Sequence, residues 1–148
     1  MKLISFNINS LRARPHQVEA IVKKHNPDAI GLQETKVHND DFPYDIPKSL
    51  GYKAQIHGQK GHYGVAIFTK DEPESVSKGF ETDTEESQKR FISVTLKREK
   101  KKIHILNGYF PQGEERNHPV KFPYKVKFYN DLLKHIKKNY DPKDYLVV

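Results

Sequence analysis

The sequence predicts an α/β fold. Three observations carry that prediction. A strand, a helix and a second strand follow one another within the first 33 residues, the order of a parallel βαβ unit. Several later runs are apolar throughout or alternate apolar with polar residues, as strands do. A long segment around residue 130 repeats its apolar residues at spacings of 4 and 3, as a helix packed on a sheet does.

Each element follows from local chemistry. Lys2 to Ile8 is rich in Leu, Ile and Phe and is expected as the first strand. Pro15 suits the first position of a helix, where its missing N–H would have no partner anyway. Val18, Ile21, Val22 and His25 then follow at i, i+3, i+4 and i+7. Asn26-Pro27 stops that helix. Asp28 to Leu32 reads as a short buried strand, and it finishes on Gln33 and Glu34, with Lys36 just beyond. Residues 40 to 51 are turn-rich, with Pro43, Pro47 and Gly51.

Tyr52 to His57 and Gly64 to Thr69 read as two strands joined by a glycine-containing loop. Residues 71 to 89 read as irregular and acidic. Phe91 to Leu96 alternates, with Ile92, Val94 and Leu96 on one face, and Ile103 to Asn107 is its return strand after the charged turn Arg98-Glu99-Lys100-Lys101-Lys102. Pro123 opens the long helix. Its expected buried face is Phe122, Val126, Tyr129, Leu133, Ile136 and Tyr140, with Lys125, Lys127, Lys134, Lys137 and Lys138 off that stripe. Asp141-Pro142 ends it, and Tyr145 to Val148 is expected to begin another buried strand. There is no internal repeat and no low-complexity linker.

Composition narrows the class. The 148 residues suffice for one domain, and a complete domain of this size buries roughly 70% of the surface of its unfolded chain. Charged residues make up 30%, and 26 Lys plus Arg against 19 Asp plus Glu give a net charge of +7. That charge suits either a polyanionic partner or a merely soluble, lysine-rich surface. Cysteine is absent, which excludes disulfides and thiolate metal sites and is compatible with a reducing compartment. No apolar run approaches the roughly 18 residues of a membrane span. The N-terminus MKLISFNINS lacks the apolar core of a signal peptide. The expected setting is cytoplasmic, without a membrane and without an obligate protein partner.

The chemistry collects where strands end. The first strand ends in Asn7, the second in Gln33 and Glu34, and the return strand in Asn107-Gly108-Tyr109. If the first two strands are parallel, Asn7 and Glu34 share one rim of the sheet, where α/β proteins usually place ligands. One carboxylate with amide oxygens suits Mg²⁺ or Mn²⁺, which take few protein carboxylates and leave room for phosphate oxygens. The alternative is a solvated strand end at Glu34 and a turn-forming Asn7. The loop HGQKGHYG carries three glycines; it is either a phosphate-approaching loop or a plain hairpin turn. The eight histidines form no zinc motif.

The stretches FNINSLRARP, IGLQETKV, HGQKGHYGVAI and NGYFPQGEERNHPVKFPYK, in that order, strongly resemble the exonuclease III family of the endonuclease/exonuclease/phosphatase superfamily. The resemblance spans Met1 to Val148. It implies the N-terminal half of a four-layered α/β sandwich, two packed mixed sheets flanked by helices. It implies a metal-dependent DNA-repair nuclease that cuts at abasic sites and digests duplex DNA from the 3′ end. By motif match, Glu34 would be the metal ligand and Asn7 would help to arrange metal and phosphate. Tyr109 would lie at the scissile phosphate, and Arg90, Gln112 and Lys121 would contact DNA. A catalytically inactive DNA-binding fragment is one alternative. A superfamily phosphodiesterase acting on phospholipid or inositol phosphate is another, against which the DNA-repair character of FPQG and HGQKGHYG argues.

The resemblance also implies a Gly-Asp-x-Asn motif directly after a strand like Leu146-Val147-Val148, and a terminal Asp-His pair. Neither is in this sequence. The chain reads as a single partial domain, residues 1–148, truncated before that motif. It would be part of a longer enzyme, a deliberately cut fragment or a naturally short protein, and alone it is expected to be inactive. Such a half exposes apolar surface. The expected outcome is a poorly stable or self-associating chain, and a cooperative thermal melt of a monomer in sedimentation analysis would count against it.

Overall fold

The computed structural model describes residues 1–99 and 101–148. Two four-stranded sheets pack face to face. The first has the order β1-β2-β4-β3, from β1 (Leu3–Asn7), β2 (Ala29–Gln33), β3 (Lys53–His57) and β4 (Val65–Thr69). The second has the order β5-β6-β7-β8, from β5 (Ser75–Lys78), β6 (Phe91–Arg98), β7 (Lys101–Gly108) and β8 (Tyr145–Val147). Both are mixed: β1 and β2 are parallel, as are β7 and β8, and the other pairs are antiparallel.

Helices α1 (Pro15–His25) and α3 (Lys121–Asn139) cover the outer faces, and the short α2 (Asp45–Ser49) leads into β3. Val18 of α1, with Ile21 and Val22, packs on Ile30, Leu32 and Phe68 of the first sheet. Between the sheets, Ala29, Val65 and Ile67 meet Ile92, Val94, Leu96 and Ile105. On the far face, Phe91 and Leu106 meet Phe128 and Leu132 of α3, with Phe80 stacked on Phe91 at 4.5 Å. Helix, sheet, sheet, helix is the four-layered order that the resemblance implied. Each fully buried aliphatic in these layers contributes about 1.5–3 kcal/mol.

Local signals act as read. Pro15 lies in the first turn of α1, and Asn26 ends that helix in the left-handed conformation (φ 45°), its N–H donating to the Val22 carbonyl. Ile92, Val94 and Leu96 do share the inter-sheet face of β6. The hairpin β6–β7 is longer than its apolar core and runs to Arg98 and from Lys101; Lys100 of that turn lies outside the described residues.

Four expectations need correction. The irregular stretch 71–89 contains β5, paired with β6. Its sequence Ser-Val-Ser-Lys carries one apolar residue, and Val76 is exposed, so no alternation marked it. The turn-rich stretch 40–51 contains α2, too short for a helical period. The strand at the end, β8, is exposed at all three positions rather than buried.

The fourth correction concerns α3. Half of the predicted stripe does not pack: Val126, Tyr129 and Leu133 are 43%, 48% and 50% exposed, whereas Ile136 and Tyr140 do pack on the aromatic cluster. The buried face is Phe128, Asp131, Leu132 and His135. Two of those residues are polar, which hid this face from a hydrophobic reading. Both are satisfied where they sit. Asp131 takes Lys127 Nζ at 2.5 Å and the Thr82 hydroxyl at 3.0 Å, and His135 Nε2 lies 3.1 Å from the Tyr140 hydroxyl. Burial with partners makes polar residues acceptable on an inward face.

No helix among the described residues is long and apolar enough to cross a membrane. The packing of α3 sets a direct test. Phe128→Ala should cost about 3–5 kcal/mol in urea unfolding. Leu133→Ala should cost under about 1 kcal/mol, as surface changes do. The reverse order would restore the face predicted from periodicity.

Candidate active site

Parallel pairing of β1 and β2 sets Asn7 opposite Gln33. Both strands therefore deliver their next residues to the same rim. Glu34 does not continue the strand. Its φ is +55°, left-handed backbone that costs a non-glycine residue about 1–3 kcal/mol and tends to mark functional positions. Neighbouring segments hold it there. The Glu34 carbonyl accepts from Ser10 N–H at 2.8 Å, Thr35 N–H donates to the Gly64 carbonyl at 3.0 Å, and Lys36 N–H donates to the Tyr63 carbonyl at 3.0 Å. The turn points the carboxylate back over the strand ends.

There Asn7 Nδ2 donates to Glu34 Oε1 at 2.8 Å. The other end of the Asn7 amide is occupied, since its Oδ1 accepts from Asn9 N–H at 3.1 Å. Lys36 Nζ lies 3.2 Å from Glu34 Oε2 and 2.5 Å from Asn9 Oδ1. The Asn7 bond, then the Tyr109 hydroxyl, then Lys36 hold the Glu34 carboxyl below the usual carboxylate range, against an opposing effect of burial. Tyr109 moves the other way: burial first, then the Glu34 carboxylate, push its hydroxyl up. The pair at the rim is thus an ionised carboxylate and a neutral phenol.

Tyr109 is fixed through Arg90. Its N–H donates to the Arg90 carbonyl at 2.7 Å, and Arg90 Nη1 donates to the Tyr109 carbonyl at 2.9 Å. Arg90 Nε donates to Gln88 Oε1 at 2.6 Å. The guanidinium lies against two neighbouring rings, 4.3 Å from Tyr63 and 4.6 Å from Tyr109. Beside these rings opens a cavity of ≈ 560 Å³, lined by Tyr63, Arg90, Tyr109, Gln112, Lys121 and Tyr124 among others. All three residues expected to contact DNA, and Tyr109, line this one groove. Lys121 pairs with Glu114, a surface pair worth little and easily exchanged for another anion.

The glycine loop serves packing. Gly58 N–H donates to Asn39 Oδ1 and Gly64 N–H to the Lys89 carbonyl. A Cβ at Gly58 would lie 2.4 Å from the Val37 carbonyl oxygen, and one at Gly64 2.4 Å from Thr35 Oγ1. Only Gly61 of the three has open space around it. The loop thus lies close against the Glu34 turn. His57 at its base is pushed down to about 4 by burial, then by Lys89 and Lys78, so it is neutral near pH 7.

Sequence reading missed Tyr63 and Tyr124 as groove residues. Both lie inside stretches singled out for other reasons, HGQKGHYG and FPYK. Lys36 was noticed but given no role. Alternating aromatic and basic residues in those stretches were the available signal.

Removing the main contact to Glu34 has a signed consequence. In Asn7→Ala the Glu34 pKa should rise toward 4.5, read from its side-chain ¹³C shift against pH. A carboxylate whose folded pKa is depressed stabilises the fold above its unfolded pKa and loses this as pH falls through the folded value. The charge-dependent part of the stability loss in Asn7→Ala should therefore vanish at the acid end, where Glu34 is protonated in both proteins.

Comparison with known proteins gives the family and the fold. Residues 4–148 match the model of the Endonuclease/Exonuclease/phosphatase family. The chain is 55% identical over 148 residues to exodeoxyribonuclease III of Haemophilus influenzae, covering 100% of this chain and 55% of that protein. Its fold is similar to an AP endonuclease from Archaeoglobus fulgidus (TM-score 0.87, 34% identity, 99% of this chain and 55% of that one). It is also similar to the 3′ phosphatase NExo from Neisseria, in a variant bound to a product DNA hairpin (TM-score 0.80, 32% identity, 90% of this chain and 50% of that one). The chain spans about half the length of these relatives. It belongs to the endonuclease/exonuclease/phosphatase family.

Proposed function

We propose that this chain carries the Glu34 side of a DNA-repair nuclease site, which hydrolyses phosphodiesters in duplex DNA at abasic sites or from a 3′ end. One observation carries the reading. An ionised carboxylate, Glu34, meets Asn7 and the neutral Tyr109 at the ends of parallel strands, and a groove lined by Arg90, Gln112 and Lys121 begins at that same tyrosine. The names of the relatives, an exodeoxyribonuclease and an AP endonuclease, support the substrate class.

The donor set fits Mg²⁺ or Mn²⁺. Glu34 is held ionised and partly exposed, and hard cations bound to substrate phosphates need only one or two carboxylates. Among the described residues no group of three or more His, Asp or Glu gathers, so Glu34 would hold the ion with water and phosphate oxygens. Asn7, whose NH₂ faces Glu34, would orient that carboxylate. The ion would neutralise charge on the phosphoryl group. A phenol is protonated near pH 7 in any case, and burial and the Glu34 carboxylate push Tyr109 further that way, so its O–H can donate to a phosphate oxygen. Lys36 balances the Glu34 charge at the rim, and the net charge of +7 supplies salt-dependent attraction to the duplex.

A second reading is a duplex-binding module that does not cut, since the groove of Arg90, Gln112 and Lys121 and the net charge of +7 would serve binding alone. One assay separates the two. A duplex with a single abasic site is offered to this chain and to a chimera carrying the unmatched remainder of the H. influenzae relative after Val148. The chain alone should bind without cutting. The chimera should nick with Mg²⁺, stop with EDTA, and lose about 100-fold or more in rate in Glu34→Gln. A chimera that binds duplex and never nicks would leave the binding module as the better account.

A further inference from the structure

Beneath the site, the apolar layer between the sheets gives way to amides. Asn107 on β7 is 5% exposed and reaches across to the first sheet. Its Nδ2 donates to the carbonyls of Leu32 and Ala66, both at 2.9 Å, on the adjacent strands β2 and β4. Its Oδ1 accepts from Gln33 Nε2 at 2.6 Å. Gln33, 8% exposed, also approaches Ser5 Oγ at 3.1 Å and the Gly31 carbonyl at 3.3 Å. Both amide protons and the oxygen of Asn107 are used. Gly31 makes room for this: a Cβ there would lie 3.0 Å from Asn107 Cγ and Oδ1.

A satisfied buried amide differs from an apolar contact in what it specifies. Apolar side chains tolerate small slides of one sheet over another. Directional bonds to fixed carbonyls do not, and leaving any of these buried polar groups unpaired forfeits its solvation without replacement. The network therefore selects one register between the sheets at this spot.

The two amides sit next to the site residues. Gln33 precedes Glu34 directly, and Asn107 precedes Tyr109 by two residues. Glu34 belongs to the first sheet and Tyr109 to the second, so no strand pairing sets their separation. Two hydrogen-bonded routes do: one over the rim, from Thr35 through Gly64 and Lys89 to Arg90 and Tyr109, and one beneath it, Glu34–Gln33···Asn107–Gly108–Tyr109. We infer that the Gln33–Asn107 pair is a positioning device, which fixes Tyr109 against Glu34 across the two sheets. This rests on the reading of Glu34 and Tyr109 as the site pair, and it adds two buried residues behind that pair.

The competing account is that the pair only holds the sheets together. A fluorine label on Tyr109 separates the two. 3-Fluorotyrosine is placed at position 109 of this 148-residue chain, and its ¹⁹F resonance is followed in Gln33→Met and Ile105→Val. Gln33→Met keeps the side-chain length and removes the amide donor, and with it the bonds to Asn107, Ser5 Oγ and the Gly31 carbonyl. Ile105→Val loosens the apolar inter-sheet layer on the same strand. Stability of each is measured by urea unfolding.

The expected result is a shifted, broadened or split resonance in Gln33→Met, and a resonance close to the parent's in Ile105→Val at similar stability loss. Should Gln33→Met not fold, Ser5→Ala, which removes only the outer partner of Gln33, should move the line in the same direction by less. An unchanged resonance in a folded Gln33→Met, or in Ser5→Ala if that stands in for it, overturns the inference. Equal shifts in Gln33→Met and Ile105→Val overturn it too, because they make the pair ordinary packing. No cleavage is read, so failure of the nuclease reading leaves this result standing, and the converse also holds.

Discussion

The site depends on two strands running in the same direction. If β1 and β2 were antiparallel, Asn7 and Glu34 would lie at opposite ends of the sheet. Parallel pairing requires a crossover, and α1 provides it on the outer face, buried through Val18 with Ile21 and Val22. The crossover is short because Pro15 starts the helix and Asn26 turns the chain back sharply. From that pairing follow the shared rim, the bond from Asn7 to Glu34, and the place where the second sheet must deliver Tyr109.

Charge balance at the rim follows from the same arrangement. A single carboxylate sits among an amide N–H, a phenol and an ammonium group. Those groups favour its charged form, and burial together with that charge pushes the phenol pKa up. The guanidinium of Arg90 lies further out, against the rings of both Tyr63 and Tyr109. Arg90 has a double character. Two of its N–H positions are committed to Gln88 and the Tyr109 carbonyl, so it shapes the groove wall as well as charging it. Left-handed backbone gathers in the same district, at Asn9, Ser10, Glu34, Lys36 and Tyr63. These three turns interlock through backbone hydrogen bonds, which is what maintains them.

Polar residues inside the layers explain where hydrophobic patterning misleads. The inward face of α3 holds Asp131 and His135, each with a partner, while Val126, Tyr129 and Leu133 remain outside. Periodicity reports that a helix has an apolar stripe; it does not report whether a second, partly polar stripe packs better against the aromatic cluster of Phe80, Phe91 and Phe110. The exposure of β8 has the same origin. An apolar strand is buried only when something lies on both faces, and its sequence carries no information on its neighbours.

By itself the sequence determined most of the elements, their order and the strand-end position of Glu34. Periods of 2 and 3.6 are imposed by the backbone and appear in any chain that buries one side of an element. It also marked Asn7 and Tyr109 as strand-end residues, and the expectation that Asn7 and Glu34 share a rim needed only the hand and length of a βαβ unit. Tertiary structure alone decided the rest: the meeting of Glu34 with Tyr109, the contact of Arg90 with two tyrosine rings, the packing role of Gly58 and Gly64, and the reach of Asn107 into the first sheet. These contacts join residues far apart in sequence. Their geometry is set by how one sheet lies on the other, and no local periodicity encodes that relation.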